Sequence, residues 1–198
     1  MSTPSLPTRG TYTPAVGSDS ALQAVLVLRA AYTDRGANGL PGVATEKAVV
    51  LRAPKVVAAS GELADGVQKY KGPELPIEVA IGTRSGAFVG FKQIDLTGIS
   101  AIVFAAMAPI PQLNGAGGKL EVRVDSANGA LVGETPIIQP DTAMGPPTAR
   151  RAVITPPTGA HDLYFVFRNE QAKSGQNLFV LLTAAFEPAG SRTVGVPQ

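Results

Sequence analysis

Hydrophobic and polar positions along this chain alternate in short, strand-sized runs. The clearest is Lys119-Leu120-Glu121-Val122-Arg123-Val124-Asp125, which places Leu120, Val122 and Val124 on one face and the charges on the other. A period of two is that of a half-exposed strand, so the charged face is expected to meet solvent. Residues 178–186, Leu-Phe-Val-Leu-Leu-Thr-Ala-Ala-Phe, are apolar on both faces. That pattern predicts a central strand sealed between a core and a second covering layer. Runs rich in β-branched and aromatic residues predict further strands at 55–60, 77–81, 88–96, 99–106, 131–137, 151–154 and 163–168. Upstream, Val27-Leu28-Arg29-Ala30 and Val50-Leu51-Arg52-Ala53 flank a segment holding Asp34, Arg35, Gly36, Asn38 and Gly39. This reads as a strand, an irregular loop and a second strand; a four-residue echo is too short to be a structural repeat.

The punctuation supports the same class. Gly 22 and Pro 17 make up about a fifth of the 198 residues, which breaks the chain into short segments and argues against long helices. Pro/Gly clusters at 72–73, 109–118 and 140–147 read as loops. Asn128-Gly129 between two alternating runs signals a hairpin turn, because both residue types tolerate positive φ. Asn114-Gly115-Ala116-Gly117-Gly118 precedes a strand, with no lysine-serine pair or helix after it, so it is a turn rather than a phosphate cradle. The expected fold is all-β, a β-sandwich over residues 20–188. Residues 1–19 and 189–198 have the Pro-rich composition of extended tails.

Charge and reactive residues narrow the function. A net charge of +2 without a clustered basic stripe argues against nucleic acid. With Cys 0 and His 1, thiolate catalysis, Cys-based metal sites and C-x-x-C-H haem attachment are all excluded. His161 is followed by Asp162, but neighbours on a strand face opposite ways, so they pair as base and orienter only across a bulge. The carboxylate pairs Glu121 with Glu134 and Asp95 with Asp125 lie on faces expected to be solvated. The chain reads as non-catalytic. No apolar run reaches the roughly 18 residues of a membrane span, and Met-Ser-Thr-Pro-Ser-Leu-Pro has neither the basic nor the apolar part of a signal peptide.

Four motifs then fall in order over residues 117–186. Gly117-Gly118 opens Glu121-Val122-Arg123-Val124-Asp125-Ser126; Gly129-Ala130-Leu131-Val132-Gly133-Glu134 follows; then come Gly159-Ala160-His161-Asp162-Leu163-Tyr164-Phe165-Val166-Phe167 and Asn177-Leu178-Phe179. Together they resemble family 6 carbohydrate-binding modules. Segments 28–37 and 90–99 look like the version attached to exported bacterial proteins with sugar dehydrogenase or cytochrome c domains. The resemblance implies a jelly-roll, galactose-binding-like sandwich, placed in the periplasm or outside the cell.

The resemblance also implies where ligands would go. The family usually holds a structural calcium through acidic residues on its first core strand and an aspartate on its last, as a hard cation requires. Here those places hold Lys55-Val56-Val57-Ala58-Ala59-Ser60 and Leu182, so the calcium site is expected to be lost and no cofactor is expected. Sugar binding rests on aromatic rings stacked on pyranose faces, with amides or carboxylates fixing the hydroxyls. The chain has Trp 0 and Tyr 4. Tyr164 lies within a strand motif, expected in the core or in strand pairing, and Tyr12 lies in the tail. Tyr70, with Gln68, falls where the family often places a loop aromatic, and Tyr32 leads into the Asp34 loop. Tyr70, Tyr32, Asp34 and Gln68 are therefore the candidate ligand-binding residues. Two functions are expected: a binding module for polysaccharide or a cell-surface glycan, or a docking subunit of a periplasmic or membrane-bound, cytochrome-containing complex, gripped by the Pro-rich tails.

Overall fold

The alternating runs become strands in the computed structural model, which describes residues 25–190 apart from Glu74 and Met144. The expected tail at 1–19 lies outside the described residues, as does the C-terminal one beyond Gly190. The described residues form two compact units, divided between Ala53 and Pro54.

In the first unit, β1 (Val25–Thr33) and β2 (Ala44–Arg52) form an antiparallel ribbon in which Val27 pairs with Val50 and Arg29 with Ala48. The strand–loop–strand reading is met. The ribbon lies in a different unit from the sandwich, where the sequence reading placed both in one domain over 20–188. Its connecting loop is closed by Asp34, whose Oδ1 accepts hydrogen bonds from the backbone N–H of Gly36 (2.8 Å) and Val43 (2.9 Å).

The second unit is the sandwich. Its strands are β3 (Lys55–Val57), β4 (Leu63–Asp65), β5 (Val67–Tyr70), β6 (Val79–Gly82), β7 (Phe88–Asp95), β8 (Ile99–Met107), β9 (Lys119–Val124), β10 (Leu131–Glu134), β11 (Thr148–Val153), β12 (Ala160–Arg168) and β13 (Val180–Pro188). One sheet runs β10-β9-β12-β7-β4; the other runs β11-β8-β13-β6-β5, with β3 also pairing β13. The doubly apolar run is indeed central: β8 lies along one edge of β13, while β6 and then β3 share the other. Short β4 and β5 had no run long enough to announce them, and the 109–118 loop contains a one-turn helix, α1 (Ile110–Leu113), with proline in its first turn where no N–H is needed.

The core follows from alternation. Leu163, Phe165 and Phe167 of β12 point inward with Leu120, Val122 and Val124 of β9 and Val89 and Phe91 of β7, all buried. From the other sheet come Phe104 and the buried Phe179, which precedes β13. Phe104 meets Phe165 edge to face at 4.9 Å between ring centroids, and Phe179 meets Phe167 at 4.6 Å. Gly82 fits beneath Phe167 because it has no side chain: a Cβ there would stand 2.4 Å from the ring.

Two local expectations are corrected. The 126–129 turn forms, closed by Gly129 N–H donating to the Ser126 carbonyl, but the positive φ belongs to Asp125 (68°), ahead of Asn128-Gly129. The charged face of β9 is also not fully solvated, for Glu121 is 8% exposed. Its Oε2 accepts from Arg123 Nε (2.8 Å) and Arg168 Nε (3.1 Å). Burial pushes this carboxyl up, and the hydrogen bonds and charges of the two arginines outweigh that, holding it below the usual glutamate range. The long arginine stems roof the strand, so the face is buried beneath its own charges.

Truncation of Phe165 removes the ring that links the sheets and leaves a cavity that β-strands close poorly. Phe165→Ala is expected to lower unfolding free energy by about 3–5 kcal/mol, measured by urea denaturation; a loss below about 1 kcal/mol would contradict this view of the core.

Candidate functional site

The site is built on the outward face of the β11-β8-β13-β6-β5 sheet. Since Ala80, Gly82, Phe104, Ala106, Phe179 and Leu181 face the core, the intervening Val79, Ile81, Met107 and Val180 face the other way. These four form a second buried cluster, with Leu75, Leu113 and Leu182 packed against it. Leu182 sits where the pairing of β13 with β8 shifts: Leu181 pairs with Ala106 and Thr183 with Ala105, leaving Leu182 as an extra, bulged residue.

Over this cluster lies a cleft of about 550 Å³, within the range of small-ligand sites. Its floor is Val79, Ile81, Met107, Val180 and Leu182; its rim carries Tyr70 and Gln68 from β5 and Gln112 from α1. Gln68 and Tyr70 are two apart on one strand, which puts both side chains on one face. Among the described residues lining the cleft none is charged. Tyr70 belongs to a strand rather than the expected loop; the residue is 48% exposed, with the edge of its ring beside Gly72.

The other two candidates are not in this cleft. Tyr32 (67% exposed) is the penultimate residue of β1, and Asp34 begins the loop of the same ribbon. Both backbone hydrogen bonds to Asp34 hold its carboxyl below the usual aspartate range, so its occupation is structural. Tyr164 is half-buried on the outer face of its own sheet, edge to face with Phe88 at 5.3 Å rather than in the core.

Gln112, Leu113 and Leu75 were missed because they come from a Pro-broken turn and a loop without periodicity. The floor itself was visible as the second apolar face of residues 178–186.

Each titratable group weighed for catalysis has a separate occupation. His161 Nδ1 lies 2.9 Å from Asp125 Oδ1 and Nε2 3.3 Å from the Thr158 carbonyl, while Asp162 Oδ1 accepts the N–H of Gln93, a residue at φ 52° in a bulge of β7. A bulge exists, yet Asp162 turns to Gln93 and leaves His161 alone. Glu134 is paired with Lys119 Nζ at 2.6 Å, and Asp95 accepts from Thr97 N–H at 2.9 Å.

The position that would hold the family's calcium offers a poor donor set. Val56, Val57, Ala58 and Ala59 are buried, and Leu182 occupies the facing strand. Among the described residues no three His, Cys, Asp or Glu side chains cluster to hold a metal ion. These residues do not fit a hard cation.

Comparison with known proteins agrees with this architecture. Residues 60–187 match the carbohydrate binding module (family 6) model. The chain belongs to this family. In fold it is similar to a family 6 module from Clostridium cellulolyticum in complex with xylose (23% identity, 67% of this chain and 95% of that one, TM-score 0.56). A β-1,3-glucan binding module from Bacillus halodurans is equally near (16% identity, 67% and 93% coverage, TM-score 0.56). A family 43 arabinoxylan arabinofuranohydrolase from Bacillus subtilis, in complex with cellotetraose, matches over 27% of its own length and 68% of this chain (21% identity, TM-score 0.55). No curated protein matches. The docking reading, with its dehydrogenase or cytochrome partner, gains no support from these matches. Among the described residues no helix is long and apolar enough to cross a membrane.

The His161 contacts give a pH signature. Its hydrogen bond to Asp125 raises its pKa above the ordinary 6.5 despite partial burial, since both ring nitrogens face oxygen acceptors and the imidazolium can donate to both. A raised folded-state value means that the stabilisation is complete below 6.5 and is lost as pH rises through the higher folded value. The melting temperature of the wild type should therefore exceed that of His161→Gln at about pH 5, with the gap narrowing towards about pH 9. A gap that is constant with pH would show that the imidazolium makes no such contribution.

Proposed function

We propose that this module binds a polysaccharide or cell-surface glycan, outside the cytoplasm and without catalysing a reaction on it, in the cleft rimmed by Tyr70, Gln68 and Gln112. The observation that carries this reading is the half-exposed Tyr70 standing beside two amides at a preformed cleft with no charge among its described lining residues. A sugar ring has an apolar C–H face that stacks on an aromatic and a girdle of hydroxyls that amides can bond. Gln68 and Gln112 supply both donors and acceptors, and among the described residues neither side chain makes a hydrogen bond that would occupy it. That none of the described lining residues is charged suits a neutral glycan. Family membership, and neighbours solved with xylose and cellotetraose, support the same class of ligand.

The reading also dispenses with calcium, because the β3–β13 junction carries apolar side chains where carboxylates would be needed. Affinity electrophoresis in gels containing xylan or β-1,3-glucan tests both points together. The wild type should be retarded equally with and without a calcium chelator, and Tyr70→Ala should bind about tenfold more weakly, the loss expected for one stacked ring with its buried area. Retardation abolished by the chelator would show a calcium-dependent site. Absence of retardation on every neutral polysaccharide would overturn sugar binding.

A further inference from the structure

We propose that the cleft selects a glycan residue carrying an apolar substituent, an O-acetyl ester or the methyl group of a 6-deoxy sugar, over a fully hydroxylated one. This rests on the sugar-binding reading above and adds the class of sugar.

Polar and apolar groups are segregated in the cleft. Tyr70, Gln68 and Gln112 stand at the rim, whereas Val79, Ile81, Met107, Val180 and Leu182 line the floor, with Leu75 and Leu113 beside them. A pyranose stacked on Tyr70 can give its outward hydroxyls to the two amides. Whatever it projects toward the floor meets the aliphatic side chains of Val79, Ile81, Val180 and Leu182 and the thioether of Met107, none of which offers a strong hydrogen bond. A hydroxyl there would lose its water and gain no partner, which is unfavourable. A methyl or acetyl group would instead exchange water for contact with the half-buried Leu182, Leu75 and Leu113, which is favourable.

The floor is fixed, not an adaptable surface. Val79, Ile81 and Val180 are 1–3% exposed, and their strands pair directly, Val180 with Ile81 and Leu181 with Ala80. Leu182 stands two residues beyond Val180 on the same face of the strand, at the bulged position. The size also fits: a cleft of about 550 Å³ is larger than a bare sugar ring needs and leaves space beneath it.

The test compares natively O-acetylated xylan with the same xylan after alkaline deacetylation, and adds a fucose-rich neutral polysaccharide as a third arm, using affinity electrophoresis of the full chain. Acetylated xylan is expected to bind about tenfold more tightly than deacetylated xylan, the effect of one buried methyl and one hydroxyl no longer stranded. Preference for the fucose-rich arm, with indifference to acetylation, would support the proposal with the ring methyl as the recognised group. Equal affinity for all three would overturn it while leaving sugar binding intact, and absence of binding to all would overturn both. The variant Leu182→Gln, at a half-buried position, adds an amide to the floor and should reduce the preference to about twofold or less. An undiminished preference in this variant, shown by its melting curve to be folded, would contradict recognition at this floor.

Discussion

Edge-to-face contact between Phe165 of one sheet and Phe104 of the other, with Phe167 on Phe179 beside it, is the constraint from which the rest of the sandwich takes its geometry. Alternation is absolute along a strand: once these rings face inward, their neighbours must face outward. Phe179 and Leu181 inside put Val180 outside; Ala80 and Gly82 inside put Val79 and Ile81 outside. The floor of the cleft is thus the reverse side of the core. Gly82 shows how tightly the two are coupled, since the strand that supplies Ile81 to the cleft is also the one on which Phe167 lies without a side chain between.

The bulge at Leu182 is where this regularity yields. A strand between β8 on one side and β6 followed by β3 on the other must change partners midway, and the extra residue falls at that change. In an apolar environment the bulged residue is a leucine, and no carboxylate from β3 answers it. One residue at this irregularity therefore bears on both ligand questions: Leu182 lines the hydrocarbon floor, at the position where the family resemblance implies a metal-binding aspartate.

Much of this was legible in the residues. Period-two alternation in 119–125 and the doubly apolar 178–186 gave the sandwich, its central strand and the existence of an outer apolar face, because these depend only on neighbouring positions. The rim was half legible. Tyr70 and Gln68 were identified, but as loop residues, because β5 is four residues long and charged, with no apolar run to mark it. Tyr32 and Asp34 were grouped with them although Asp34 is spent on Gly36 and Val43, a local bond that composition cannot show. Burial of Glu121 was hidden for a different reason: it depends on Arg168, 47 residues away, reaching across from the neighbouring strand. What the sequence could not display were pairings between distant segments and the four-residue helix at Gln112, where prolines hide a helical turn.

The central claim is that ligand is held on the outer face of the central sheet, opposite the aromatic core. Amide and methyl chemical shifts recorded by NMR during titration with xylan oligosaccharides test this most directly. The account predicts perturbations confined to Gln68, Tyr70, Ile81, Gln112 and the Leu182 methyls, with Phe104, Phe165 and the opposite sheet unmoved. Perturbations centred on the other sheet, around Tyr164 and Phe88, with the cleft residues silent, would contradict it.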